Sequence, residues 1–85
     1  MKLYKFFTQT CGNCKILSPT IEKIVKDYNL DFEDVDCTDE VPDQWAQEVR
    51  SVPTIIIADK NIPNTKVVGV HDYNYYASIL NNISK

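Results

Sequence analysis

Residues 2–28 have the sequence "KLYKFFTQTCGNCKILSPTIEKIVKDY", in which the residue pattern changes at a pair of cysteines. The stretch before the pair, Lys2–Phe7, is short and rich in aromatic residues, as is typical of a β-strand. After the pair, apolar positions recur at the spacing of one helix face, at Leu17, Ile21, Ile24 and Tyr28. The sequence therefore places Cys11 in the loop between a strand and a helix, and Cys14 in the first turn of that helix.

Five further secondary-structure elements are predicted after this segment. They are a strand at residues 30–36, a helix capped by Asp39, strands at residues 53–58 and 65–70, and a C-terminal helix capped by Asp72. A β-α-β unit followed by a helix, a hairpin and a last helix forms one mixed sheet. We therefore predict an α/β fold of order β-α-β-α-β-β-α, with a four-stranded mixed sheet flanked by three helices lying on both faces. We expect residues 1–85 to form a single domain.

Composition and charge argue against several classes of protein. With 44% hydrophobic and 25% charged residues, the chain is globular rather than disordered in composition. A net charge of −3 gives no electrostatic reason to bind nucleic acid, and no apolar run approaches the ~20 residues that span a bilayer. The N-terminus lacks the apolar core of a signal peptide, and an odd number of cysteines argues against a secreted disulfide framework. We expect a monomeric cytoplasmic protein that binds neither nucleic acid nor membrane.

The position of the cysteine pair predicts redox chemistry. A helix N-terminus offers unpaired N–H groups and a partial positive charge, and both stabilise a thiolate. A free cysteine titrates near about 8.5, and at such sites its pKa falls to roughly 3.5–7.5. Cys11 is therefore the predicted nucleophile towards a substrate disulfide. Cys14, one turn further along the same helix face, is the predicted resolving cysteine.

Two other uses of the pair are disfavoured by the sequence. A structural zinc site needs four ligands, and the chain adds only Cys37 and the single His71, at no finger-like spacing. A purely structural crosslink between Cys11 and Cys14 closes too short a loop to remove much chain entropy. We therefore expect no metal at this site.

The motifs together resemble those of the thioredoxin family, in a minimal form, over nearly the whole chain. "CGNCK" at residues 11–15 stands where thioredoxins carry Cys-Gly-Pro-Cys-Lys, and Pro19 matches the proline that kinks the family's helix. "DVD" at residues 34–36 matches the end of the family's following strand. "SVPT" at residues 51–54 matches the family's cis-proline segment, and Gly69 matches the glycine of its last strand. A C-x-x-C motif alone is unspecific, but its combination with V-P-T about forty residues later is specific.

The resemblance implies a fold, an activity and partners. The expected fold is the thioredoxin fold, and the expected activity is protein-disulfide reduction by a Cys11–Cys14 dithiol, with no cofactor besides that redox-active disulfide. A flavin-dependent thioredoxin reductase is the implied electron donor. Disulfide-bearing proteins are the implied substrates, and ribonucleotide reductase is one plausible target.

The resemblance also implies a substrate groove opposite the cysteines. The Val52–Pro53 peptide is expected to be cis, which leaves the Val52 backbone free to pair with an extended substrate chain. Gly69 and Val70 are expected to border the same groove, because a glycine there lets a bound chain approach the backbone closely.

Three residues depart from the family pattern. Asn13, next to Gly12, replaces a proline between the cysteines, and we expect it to alter the relative stability of dithiol and disulfide. Thr10 replaces the tryptophan before the first cysteine. Lys5 stands where thioredoxins bury a carboxylate that deprotonates Cys14. Either the charge of Lys5 modulates the thiols, or its side chain extends into solvent and has no chemical role.

Two alternative functions stay open at this point. A glutaredoxin-like protein would be reduced by glutathione, but glutaredoxins usually carry a Gly-Gly pair where "VVGVHD" at residues 67–72 has one glycine. Their cysteine motif is also usually Cys-Pro-Tyr-Cys. The other alternative, from a different class, is a non-catalytic binding subunit that uses the thioredoxin fold as a docking surface.

Overall fold

Four strands and two α-helices are present in the part of the chain that the structure, a computed structural model, describes: residues 1–41, 43–59 and 62–83. The strands are β1 Lys2–Phe7, β2 Asp31–Asp36, β3 Thr54–Asp59 and β4 Ile62–Val68. The helices are α1 Gly12–Asp27 and α2 Tyr73–Ile83, and a 3₁₀ turn covers Asp43–Trp45.

The four strands form one mixed sheet in the order β2-β1-β3-β4. β1 pairs in parallel with β2, from Lys2 opposite Asp31 to Phe7 opposite Asp36, and it pairs antiparallel with β3 on its other side. Parallel neighbours need a crossover connection, and α1 provides it. The predicted α/β class and four-stranded mixed sheet are confirmed. The carboxyl ends of β1 and β2 therefore lie side by side, next to the start of α1.

The predicted middle helix is wrong. The segment expected to begin at Asp39 has only the turn Asp43–Trp45 among its described residues, and Pro42 lies outside them. Trp45 and Val49 are both buried, and the Val49 N–H donates to Trp45 O at 2.9 Å. A short helix gains little from its few backbone hydrogen bonds, so the burial of Trp45 and Val49 decides the local structure.

The core has two parts, one on each face of the sheet. α1 and α2 contribute to the same cluster, which consists of Leu3, Leu17, Ile21, Ile24, Ile55, Ile57, Val67, Tyr76 and Leu80. The opposite face carries the second cluster, which consists of Phe6, Val35, Cys37, Trp45, Val49 and Ile56. The expectation that helices lie on both faces is therefore corrected: the Trp45 turn takes the place of a helix on the second face. β3 contributes to both clusters, as expected of a central strand.

One buried polar group in the first cluster is unsatisfied. Tyr76 is fully buried, and its hydroxyl has no hydrogen-bond partner in the described part of the chain. Burial raises the pKa of Tyr76 to about 12, so the hydroxyl stays neutral at physiological pH.

We expect Tyr76→Phe to raise the free energy of unfolding by about 1–2 kcal/mol, because it removes a buried donor that has lost its water. Urea denaturation followed by circular dichroism measures the change. Tyr73→Phe is the matched control on the same helix, since the Tyr73 hydroxyl donates to Asp27 Oδ2 at 2.7 Å and its loss should cost stability. A Tyr76→Phe protein less stable than wild type would contradict the prediction.

Candidate active site

Cys11 and Cys14 form a disulfide at the N-terminus of α1. Cys11 is the N-cap residue, with extended backbone at φ −80° and ψ 103°, and its Sγ accepts a hydrogen bond from the Cys14 N–H at 3.1 Å. Cys11 is partly exposed, whereas Cys14 is only 4% exposed. One sulfur is therefore open to a partner, and the other lies behind it against the protein.

The loop before Cys11 is anchored to the end of β2. The Gln9 backbone N–H donates to Thr38 Oγ1 at 2.9 Å, and Gln9 Nε2 donates to Asp36 Oδ2 at 3.4 Å. The Thr38 hydroxyl and N–H both donate to Asp36, and these bonds lower the pKa of that carboxyl. Cys11 N–H in turn bonds to Thr8 O at 3.2 Å. Sequence reasoning missed Gln9 and Thr38, although Asp36-x-Thr38 is a pattern typical of an Asx turn.

The proline segment and the turn after β4 are hydrogen-bonded to each other. The Val52–Pro53 peptide is cis, and Pro53 O accepts from the Gly69 N–H at 3.0 Å. The strand predicted at residues 65–70 ends earlier, at Val68, so Gly69 and Val70 lie in the following turn. Gly69 has φ +90°, while a Cβ there would meet no atom within 4 Å. The backbone angle, rather than lack of space, therefore favours glycine.

A cavity of about 250 Å³ lies beside the disulfide. Its walls include both cysteines and the side chains of Lys5, Ser18 and Asp34. Gly12 and Asn13, the two residues between the cysteines, are exposed at the start of α1 and do not line this cavity.

Lys5 is buried beside α1. Strand alternation puts it on the same face of β1 as Leu3, which α1 covers, and it is only 9% exposed. Its Nζ donates to Ser18 Oγ at 2.8 Å and lies 3.5 Å from Asp34 Oδ1, on the residue directly opposite in β2. The alternative in which Lys5 extends into solvent is therefore wrong.

Neither Cys37 nor His71 lines the cavity beside the disulfide. Cys37 is a free, buried cysteine in the second core cluster, and burial raises the pKa of its thiol. His71 Nε2 bonds to Val68 O at 3.1 Å, and its ring stacks on Tyr75 with 4.1 Å between centroids. Within residues 1–41, 43–59 and 62–83, no three His, Cys, Asp or Glu side chains are grouped so as to hold a metal ion. Neither described helix is long and apolar enough to cross a membrane.

Comparison with known proteins identifies the family to which this site belongs. The family model described as Thioredoxin matches residues 1–83. The chain belongs to the thioredoxin family. Among curated relatives, the thioredoxins of Staphylococcus haemolyticus and Staphylococcus aureus are 36% and 35% identical to it, and each alignment covers 94% of this chain and 79% of the relative.

Solved thioredoxin structures confirm the fold. Thioredoxin 1 from Thermosipho africanus matches with a TM-score of 0.77 at 30% identity, over 100% of both chains. Chloroplastic thioredoxin z matches with a TM-score of 0.81 over 96% of this chain and 76% of that chain. Its sequence identity is 24%, so this second likeness concerns the fold alone.

A thioredoxin with a closely paired Cys11 and Cys14 is a thiol–disulfide oxidoreductase. Thioredoxins typically act on disulfide-bearing substrates and are themselves reduced by a thioredoxin reductase. The buried Lys5 in this thioredoxin, in place of the carboxylate that the family resemblance leads one to expect, sets its site apart.

Proposed function

We propose that this thioredoxin is a protein-disulfide reductase in which Cys11 attacks the substrate and Cys14 resolves the intermediate. The observation that carries the proposal is the unequal placement of the two sulfurs on one helix end. Cys11 caps α1 and is partly exposed, whereas Cys14 is 4% exposed. A bulky protein substrate can therefore reach the first sulfur but not the second.

The helix end activates the first cysteine. In the disulfide, Cys11 Sγ already accepts the Cys14 N–H, one of the N–H groups that α1 leaves unpaired. In the dithiol the same bond and the positive end of the helix stabilise a Cys11 thiolate. A thiolate, rather than a thiol, attacks disulfides.

The reaction proceeds in two exchanges. The Cys11 thiolate attacks one sulfur of the substrate disulfide, the substrate S–S bond breaks, and the other substrate sulfur leaves as a thiolate that takes a proton from water. Cys14 then loses its proton and attacks Cys11 Sγ. The Cys11–Cys14 bond forms, the bond from Cys11 to the substrate breaks, and the second substrate sulfur leaves. Two electrons pass to the substrate, and the redox-active disulfide is the only cofactor that this sequence of steps needs.

We assign substrate binding to the surface formed by Val52, Pro53, Gly69 and Val70. The bond from Gly69 N–H to Pro53 O joins the two segments, and Val70 is exposed beside them. An extended substrate strand pairing with the Val52 backbone fits this arrangement. Gly12, which has no side chain, and Asn13 are both exposed between the cysteines.

The electron donor in this proposal is a thioredoxin reductase, and the substrates are disulfide-bearing proteins, ribonucleotide reductase among them. The family match supports this donor over glutathione. A net charge of −3 supports the expectation that nucleic acid and membrane are not partners. We place the protein in the cytoplasm as a monomer.

The test is a comparison of electron donors. Reduction of insulin disulfides is measured by turbidity with NADPH and a bacterial thioredoxin reductase, and separately with NADPH, glutathione and glutathione reductase. We expect turnover with the first donor system and little with the second. The reverse result would favour the glutaredoxin-like alternative. If insulin is reduced neither with these two donor systems nor with a chemical dithiol as donor, the result would favour a non-catalytic binding subunit.

A further inference from the structure

The side of the disulfide that faces the protein carries a buried positive charge. Lys5 Nζ donates to Ser18 Oγ, and the Ser18 hydroxyl donates to Cys14 O at 3.0 Å. The ammonium is therefore hydrogen-bonded, through one side chain, to the helical turn that begins at Cys14. Lys5, Ser18 and Cys14 also line the same cavity.

The other charged groups at this cavity do not cancel Lys5. From β2, Asp34 lies 3.5 Å from the Lys5 ammonium, but its side chain is 49% exposed and water screens its charge. From α1, the side chain of Lys15 is exposed and adds a second positive charge, and the N-terminus of the helix adds a partial one. Burying a lysine costs free energy unless it interacts with a partner, and here Ser18 and Asp34 hold it in place.

We propose that Lys5 is a positioning residue for the resolving step, whose ammonium, held by Ser18, stabilises the thiolate of Cys14. The inference rests on the proposed function, because it concerns the second exchange of that reaction. Cys14 is buried, and burial disfavours its charged form. At this position of β1 the chain has a lysine rather than a carboxylate that could take the proton, and a nearby fixed cation favours the thiolate.

The step balances without another reactant. The Cys14 thiol releases its proton to water at the open side of the cavity. The thiolate attacks Cys11 Sγ in the mixed disulfide, the Cys11–Cys14 bond forms, and the substrate sulfur leaves with the electron pair. Asp34, by offsetting part of the Lys5 charge, opposes the stabilisation.

A chromogenic aromatic disulfide separates this step from the first. With excess reagent, the reduced protein releases one coloured thiolate in a phase that depends on reagent concentration, which is the Cys11 attack. It releases a second in a concentration-independent phase, which is the Cys14 attack. All variants carry Cys37→Ala, so that the buried third thiol does not contribute. The second phase is recorded as a function of pH.

We expect Lys5→Met to slow the second phase about tenfold near neutral pH. The same tenfold change appears as a shift of the pH profile of that phase to higher pH, by about one pH unit. Asp34→Asn should shift the same profile downwards, because the lysine charge is then unopposed. Lys5→Arg, which keeps the charge, should stay closer to wild type than Lys5→Met does. A structural role for the pair would instead move the Lys5→Met and Asp34→Asn profiles in the same direction.

The inference is overturned if the Lys5→Met profile is unchanged, or if Lys5→Met and Asp34→Asn shift in the same direction. Thermal melting identifies a variant that does not fold. If Lys5→Met does not fold, the test depends on the substitution of the exposed Asp34 by Asn. An Asp34→Asn pH profile that is not shifted from that of the parent protein would then overturn the inference. Loss of the first phase in the parent protein would refute the proposed function itself, so the two failures are distinguishable.

Discussion

Cys11→Ser is expected to lower the rate of insulin disulfide reduction roughly a thousandfold or more, as loss of a catalytic nucleophile does. A serine hydroxyl stays protonated at the helix end and does not attack a disulfide. The remaining thiols do not replace it, because Cys14 is 4% exposed and Cys37 is 8% exposed. The measurement is the turbidity assay with NADPH and thioredoxin reductase.

Cys14→Ser distinguishes the two roles within the pair. In that variant Cys11 still attacks, but nothing resolves the mixed disulfide, so a covalent complex with the substrate should accumulate and be visible by intact mass. Cys37→Ala is the control, and it should keep turnover, because Cys37 lies in the second core cluster rather than at the site. Turnover that survives Cys11→Ser would contradict the assigned mechanism.

The parts of the site that could be predicted from sequence are those encoded by local pattern. The change from a strand pattern at Lys2–Phe7 to helical spacing after Cys11 is a short-range signal, and the structure has the strand and the helix where that signal places them. A specific motif, rather than periodicity, predicts the role of the Val52–Pro53 segment. A local pattern thus predicts where in the fold the cysteine pair lies, because a junction between a strand and the next helix involves only neighbouring residues.

Long-range contacts account for what the sequence did not predict. The bonds from Gln9 to Thr38 and from Lys5 to Ser18 join residues 29 and 13 positions apart, and their existence depends on how β1, β2 and α1 pack. The spacing of Trp45 and Val49 fits a helix equally well as a single turn, so periodicity alone suggested the wrong element. Strand alternation puts Lys5 on the same face of β1 as Leu3, and the packing of α1 against that face buries it.

The helix that carries both cysteines depends on its buried face, and Ile21 tests that dependence. Ile21 is fully buried in the first core cluster, between α1 and the sheet. We expect Ile21→Ala to lower the free energy of unfolding by about 2–4 kcal/mol, from lost apolar burial and the cavity left behind. Natural domains have only about 5–15 kcal/mol in total, so the loss is a large part of the stability. Guanidinium denaturation gives the value.

Ile16→Ala provides the matched control, since it makes the same chemical change on the same helix at a side chain that is 66% exposed. Its effect on the free energy of unfolding should stay within about 0.5 kcal/mol, because the lost contacts are few and alanine has the higher helix propensity. The difference between the two variants therefore measures burial separately from helix propensity, which is identical in both. Equal losses at Ile16 and Ile21 would show that packing of α1 against the sheet does not hold the cysteine-bearing helix in place.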